Sequence, residues 1–185
     1  VGLLDGLTAI ASRAAAAIVA IAASALGQRT KPDHSPVTIA DEASQDVIFE
    51  GLAHLLPGVP VVSEEATAAV APASLGRQFI LVDPLDGTRE LLAGRDEFTV
   101  NIAIISRGRP LVGVVVAPAR GLLWRGIVGS GAERLALAPG DPPRAARERL
   151  AIHTRTMPTR ALIALVSRSH LDPATEAYLA RRNPA

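Results

Sequence analysis

The sequence predicts an α/β fold of the α+β kind, and three observations predict it. An alanine-rich stretch near the N-terminus repeats its apolar residues at helical spacing, and a second such stretch follows a polar segment. After these comes a run of short β-rich segments separated by glycine and proline turns.

The first helix rests on Leu7, Ile10, Ala14, Ile18, Ile21 and Ala25, which recur on one face. Residues Ala9 to Leu26 are the one candidate for a membrane or signal segment. Arg13 interrupts it, much of it is alanine and no basic region precedes it, so a soluble helix packed by one face is expected. Gly27 to Pro36 is polar and turn-rich. Thr38-Ile-Ala-Asp41 has the spacing of a capping box and opens a second helix, with a stripe of Ala43, Val47, Ile48, Leu52, Leu55 and Leu56, ended by Pro57-Gly58. Asp41 then lies in the first turn, where residue chemistry alone gives it the role of complementing the helix dipole.

Val59 to Val62 is expected as a short strand running into Ser63-Glu64-Glu65. Adjacent glutamates at a strand end are ordinarily solvated. Ala66 to Leu75 is expected as a surface loop or short helix. Phe79 to Val82 makes a short buried strand that Asp83-Pro84 and Asp86-Gly87 stop at once. The turn can aim two carboxylates and the Leu85 carbonyl at one point, an oxygen set that suits a hard divalent cation such as Mg²⁺. Gly87 admits a close ligand, and Thr88 offers a hydroxyl and an amide where a helical turn could begin.

Phe98 to Ile105 and Leu111 to Ala117 are β-rich runs joined at Arg107-Gly108-Arg109-Pro110, a hairpin signal, and Leu122 to Val128 continues an antiparallel meander. Gly129-Ser-Gly131 lacks the rest of a dinucleotide fingerprint and reads as a turn. Pro139 to Arg147 is the best internal boundary, giving an N-terminal α+β metal-binding domain over residues 1–138 and, over 139–185, a linker and the start of an incomplete C-terminal α/β domain. Ala161 to Val166 is expected as an apolar strand, followed by Ser167-Arg-Ser-His170, and Pro173 to Arg182 as a helix. So little chain after that strand leaves its faces poorly covered, which predicts self-association, for instance as a homodimer.

Composition narrows the function. A formal charge of +1 and 3% aromatics offer neither a basic field nor a stacking surface for a nucleic-acid polymer. With no cysteine there is no disulfide framework, zinc-thiolate site or thiol nucleophile. Lys31 is the only lysine, which with the alanine richness reads as codon bias. His34, His54, His153 and His170 are scattered, with no helical pair for a metal and no acid placed for a catalytic triad.

Asp83-Pro-Leu-Asp-Gly-Thr88 resembles the metal loop of the inositol monophosphatase superfamily of Mg²⁺-dependent, lithium-sensitive phosphatases. Ser35-Pro-Val-Thr-Ile-Ala-Asp41, Ser63-Glu-Glu65 and Asp96-Glu-Phe-Thr-Val-Asn-Ile-Ala103 match that superfamily's order and spacing. Thr88-Arg-Glu-Leu91 is similar to the Thr-Lys-Glu-Phe of the 3'(2'),5'-bisphosphate nucleotidases (CysQ-type), with Arg89 and Leu91 as departures, and Ser167-Arg-Ser-His170 points the same way. The inositol phosphatases usually carry Asn where Glu90 stands here.

The resemblance implies a two-domain α/β/α/β/α sandwich with a metal site between its parts. By matching motif the metal ligands would be Glu64, Asp83, the Leu85 carbonyl and Asp86, holding two or three Mg²⁺ in a complete site. Asp41 and Thr88 would orient or deprotonate the attacking water. The Gly87 and Thr88 amides would hold the phosphate, with Glu64, Leu85 and Asp86 beside it. The implied activity is removal of the 3'-phosphate of adenosine 3',5'-bisphosphate, in a cytoplasmic sulfate-assimilation setting with peripheral inner-membrane association left open. The alternatives are an inositol or sugar monophosphatase and a non-catalytic metal-binding fragment. The superfamily's Trp-Asp-x-Ala-Ala-Gly motif, with a further metal-binding aspartate, would fall beyond Ala185. The C-terminal part is therefore expected to be missing and the 185-residue chain to be feeble by itself.

Overall fold

A computed structural model of the chain describes residues 2–24, 28–30, 36–64, 76–157, 163–167 and 171–182, and the structural statements below concern these. By internal contacts the chain divides into two compact units, residues 1–152 and 153–185.

The first unit is helix packed on sheet. Helix α1 (Leu3–Ser24) buries Leu7, Ile10, Ala11, Ala14, Ala15 and Ile18, the i, i+3, i+4 stripe expected of an amphipathic helix. It is long and apolar enough to cross a membrane, but its apolar stripe is packed against protein. Strands β1 (Gln28–Thr30) and β2 (Pro36–Thr38) pair antiparallel and lead into α2 (Ile39–Leu55). The capping box depends on the Thr38 side chain, which lies outside the described residues. The buried face of α2 is Ala40, Asp41, Ser44, Ile48, Gly51 and Leu52, so the expected stripe is rotated. Ala43, Val47, Leu55 and Leu56 are only half-buried. The reason is close helix–helix approach: a Cβ on Gly51 would stand 2.6 Å from Ile10 Cγ1, and one on Gly6 2.7 Å from Leu55 Cδ1.

Beneath the helices lies a seven-stranded sheet in sequence order: β3 (Val61–Ser63), β4 (Gln78–Asp86), β5 (Thr99–Ser106), β6 (Arg109–Ala117), β7 (Leu122–Ile127), β8 (Gly131–Ala136) and β9 (Glu148–Ile152). Every pairing is antiparallel except β3 with β4. Alternate residues are buried on the helix side, including Ile80, Val82, Val100, Ile102, Val112, Val114, Leu123 and Leu135. Leu81, Leu111 and Val115 are exposed on the opposite side. Arg107 and Gly108 both take positive φ, 52° and 73°, a two-residue turn whose twist suits the β5–β6 hairpin. Gly129 and Gly131 turn the chain from β7 into β8, as expected of that Gly-Ser-Gly run.

One polar connection bolts α1 to the sheet. Buried Arg125 on β7 donates to Asp5 Oδ1 at 2.7 Å and Thr8 Oγ1 at 3.0 Å on α1, and to Glu133 Oε1 on β8 at 2.7 Å. Residues 139–152, which begin with the Pro139 to Arg147 connection, pack with the first unit. The Gly140 amide donates to the Ser12 carbonyl at 2.8 Å, Ser12 Oγ donates to the Asp141 carbonyl at 2.9 Å, and β9 pairs with β8. The Pro/Gly run there is a tight return into an edge strand.

In the second unit, α4 (Pro173–Arg182) forms as expected. Asp172 caps it, its Oδ1 accepting from the Thr175 amide at 2.7 Å, and Pro173 sits where a missing N–H costs nothing. The apolar strand expected over Ala161 to Val166 is not there: residues 163–167 have no regular structure, and 161–162 lie outside the described residues. An apolar run becomes a strand only beside a partner ladder, and here Ile163, Leu165 and Val166 are exposed. The expected loop over Ala66 to Leu75 and residues 168–170 also lie outside the described residues.

Candidate metal and phosphate site

The one parallel pairing creates the site. Val61, Val62 and Ser63 align with Ile80, Leu81 and Val82, so β3 ends beside Val82 while β4 runs on, and Glu64 follows β3 where Asp83 follows Val82. Asp83 and Asp86 oppose Asn101 and Thr99, so three steps on β4 match two on β5. One extra residue is accommodated as a bulge. The strand therefore runs through Asp86 instead of stopping at Asp83-Pro84. Pro84 is tolerated because β3 has already ended on that side and no ladder bond needs its missing N–H.

Helix α2 braces the bulge. Ser44 Oγ donates to the Pro84 carbonyl at 2.7 Å in a buried bond, and Ser63 Oγ donates to Gln45 Oε1 at 2.8 Å. Asp41 is 2% exposed, one helical turn before Ser44, so it projects from the end of the helix that meets the loop. Its burial goes beyond the solvated dipole partner that residue chemistry alone gives.

Asp83 is the electrostatic focus. Burial first, then the nearby charges of Glu64 and Asp86, raise its pKa from 3.8 to about 6, against hydrogen bonds from the Leu85 amide and Asn101. Its Oδ1 is buried without a hydrogen-bond partner. Leu85 buries its side chain, and its carbonyl accepts from Thr88 Oγ1 at 3.2 Å. Asp86 and Glu64 are exposed to solvent.

The loop then turns into the short helix α3 (Thr88–Leu92) through Gly87, at φ 88° and ψ 35°. A Cβ there would lie 2.7 Å from the Glu97 carbonyl oxygen, so both the backbone angle and the space demand glycine. The Glu90 and Leu91 amides donate to the Gly87 carbonyl, at 2.9 and 3.0 Å.

The sequence-predicted residues thus fall into one neighbourhood: Glu64, Asp83 and Asp86 by mutual charge, Leu85 and Thr88 by a hydrogen bond, Gly87 by the turn, and Asp41 through the helix braced on Pro84. Among the described residues no three His, Cys, Asp or Glu side chains are gathered at cation-ligating separation. The carboxylates feel one another without being closed into a cage. A donor set made only of oxygens, a buried Oδ1 with no partner and a carboxylate pushed up by its neighbours all fit a hard divalent cation. Sequence reasoning missed Ser44, Gln45, Ser63 and Asn101 as site-forming residues. Asn101 stood inside a quoted motif, but only its register opposite Asp83 shows what it does.

Known proteins give the chain its family. The model of the inositol monophosphatase family matches residues 3–182. The chain is 34% identical over 181 residues to the 3'(2'),5'-bisphosphate nucleotidase CysQ of Escherichia coli, covering 96% of this chain and 68% of that protein. The crystal structure of CysQ from Bacteroides thetaiotaomicron superposes with a TM-score of 0.75 at 30% identity, over 95% of this chain and 66% of that one. The inositol monophosphatase of an Anabaena (Nostoc) species gives a TM-score of 0.59 at 30% identity, over 71% of this chain and 46% of that one. This chain thus spans about two thirds of the CysQ proteins' length. Family model, relatives and site geometry place this chain in the inositol monophosphatase family.

Proposed function

We propose that the chain is the larger part of a Mg²⁺-dependent 3'(2'),5'-bisphosphate nucleotidase that converts adenosine 3',5'-bisphosphate to AMP and phosphate, in a cytoplasmic sulfate-assimilation setting. The observation that carries the reading is the partnerless buried Oδ1 of Asp83, beside Glu64 and Asp86 and before the Gly87 turn. Glu64, Asp83, the Leu85 carbonyl and Asp86 would hold the metal. When bound, Mg²⁺ neutralises phosphate charge and makes water a competent nucleophile near neutral pH.

The chain's own residues do the rest. Thr88 Oγ1 donates a hydrogen bond to the Leu85 carbonyl, which leaves its lone pairs to accept from the attacking water. Asp41 serves as the second acceptor for that water. The Gly87 and Thr88 amides hold the phosphate so that attack comes in line with the leaving ribose oxygen. The leading substrate is favoured over an inositol phosphate because the two structures match at the same identity, yet CysQ matches over more of the chain and with the higher TM-score.

The test is phosphate release from adenosine 3',5'-bisphosphate and from inositol monophosphate side by side, with and without Mg²⁺, for the full-length protein and Glu64→Gln. Mg²⁺-dependent release from the bisphosphate, abolished in the variant, is expected. Preference for inositol phosphate overturns the substrate, and release that ignores Mg²⁺ overturns the mechanism. A protein ending at Ala185 is expected to turn over feebly, and vigorous release from it overturns that part of the reading.

A further inference from the structure

The Gly87–Thr88 turn is too short to be rigid by itself. Helix α3 spans five residues, and a helix of that length is not self-supporting in water. What holds it is the segment that follows. The Gly94 amide donates to the Leu91 carbonyl at 3.0 Å, and the Arg95 amide donates to the Glu90 carbonyl at 2.9 Å. The chain then doubles back until the Glu97 carbonyl and Phe98 Cα crowd Gly87, with Phe98 buried.

One side-chain pair closes that loop. Glu90 is 8% exposed, a carboxylate taken nearly out of water, and Arg95 Nη1 donates to its Oε2 at 2.5 Å. A surface arginine reaching a buried acid is an arrangement that solvation opposes and only a specific contact sustains. Arg95 itself remains 44% exposed, so its side chain adds little to the core. The neighbouring Asp96–Arg120 pair, at 3.1 Å, is open to solvent on both sides and ties the same segment only weakly.

We propose that Glu90 is a positioning residue: through Arg95 it fastens the 94–98 segment against Gly87 and so fixes the Gly87–Thr88 backbone in the orientation that receives a phosphate. The statement about the turn stands on the contacts above, and the statement about phosphate rests on the phosphatase reading. Glu90 does not face the reacting atoms in this account. It acts through the turn, so breaking the pair loosens phosphate binding while leaving the fold intact.

The experiment compares wild type with Arg95→Gln, Arg95→Lys and Asp96→Asn. It reads hydrogen exchange of the Glu90 and Leu91 amides, which donate to the Gly87 carbonyl, by NMR without ligand, inorganic phosphate affinity with Mg²⁺, and the urea midpoint. Arg95→Gln is expected to speed exchange of the Glu90 and Leu91 amides and to weaken phosphate binding, each about tenfold, with a fall in the urea midpoint no larger than that local loss. Arg95→Lys keeps most of both, and Asp96→Asn matches wild type. Unchanged exchange of the Glu90 and Leu91 amides in Arg95→Gln overturns the proposal. So does faster exchange spread evenly over the sheet, which would make the pair a global stabiliser. Faster exchange at the turn in a protein whose wild type binds no phosphate with Mg²⁺ upholds the fastening and overturns the phosphatase reading instead.

Discussion

The chain contains Asp-Pro three times, and the two that lead into α-helical turns behave oppositely. Asp172-Pro173 opens α4 on the surface, and the backbone amides of the helix start, Thr175 first, hold the Asp172 carboxyl below its ordinary range. Asp83-Pro84 sits in a bulge beside two other acids, and burial with their charges pushes Asp83 up to about 6. One aspartate is satisfied by four residues of local sequence. The other is left in deficit by burial and by acids at the end of β3 and on its own strand. The same dipeptide caps a helix where donors converge on it and carries a carboxyl of raised pKa where other acids do.

The largest test of that contrast exchanges the charge at each position. Asp83→Asn should cut phosphate release by at least about a hundredfold. It should also raise metal-free stability at pH 7, because it removes a carboxylate its surroundings disfavour. Asp172→Asn should leave release unchanged. Loss of stability in metal-free Asp83→Asn would show that the Asp83 environment is not in deficit. Gly87→Ala comes next. It forces a Cβ into the Glu97 carbonyl at positive φ, and unfolding midpoints should show a loss of more than about 1 kcal/mol, with phosphate affinity falling alongside.

A pH series is subtler. Asp83 binds its proton more tightly folded than unfolded, so its contribution is fully present below 3.8 and is lost as pH rises through about 6. Metal-free stability should therefore fall across that window, on the order of 1–2 kcal/mol after solvent screening is allowed for, and saturating Mg²⁺ should erase the fall. Asp172 has the opposite sign, its capping being present above the ordinary carboxylate pKa and lost as pH drops below it. Chemical shifts of α4 in the same titration would show whether the two aspartates part company. The smallest effect concerns the exposed Ile163, Leu165 and Val166. Leu165→Ser should reduce any concentration-dependent association seen by light scattering, and an unchanged profile would remove this segment as its cause.

The sequence showed the parts of the molecule that are written locally. Periodicity gave α1, turn chemistry gave the β5–β6 hairpin and the β7–β8 turn, and Asp172-Pro173 marked α4. The acids of the site were legible because motifs carry them in order. The missing information was in contacts between distant segments. Ser44 and Gln45 look like ordinary polar residues of a helix until Pro84 and Ser63 come to meet them. The rotated stripe of α2 follows from how closely α1 approaches Gly51, which no period within α2 contains. Pro84 looked like the end of a strand, yet β4 runs past it because the neighbour that would have needed its N–H stops two residues earlier, beside Val82. At residues 163–166 the error ran the other way, since an apolar run says nothing about whether a ladder exists to receive it.

The single parallel pair also bears on how the protein folds. The antiparallel neighbours β5–β6, β6–β7 and β7–β8 are joined by short turns, so each can close soon after its partner forms. The β3–β4 pair must wait for the long connection between them to be drawn in, and loop-closure entropy makes such pairings slow. Glu64 and Asp83 meet only when that pair closes, and their repulsion adds to the barrier. The functional centre is therefore among the last regions to assemble, and Mg²⁺ present during refolding should accelerate the final step and leave the earlier ones alone.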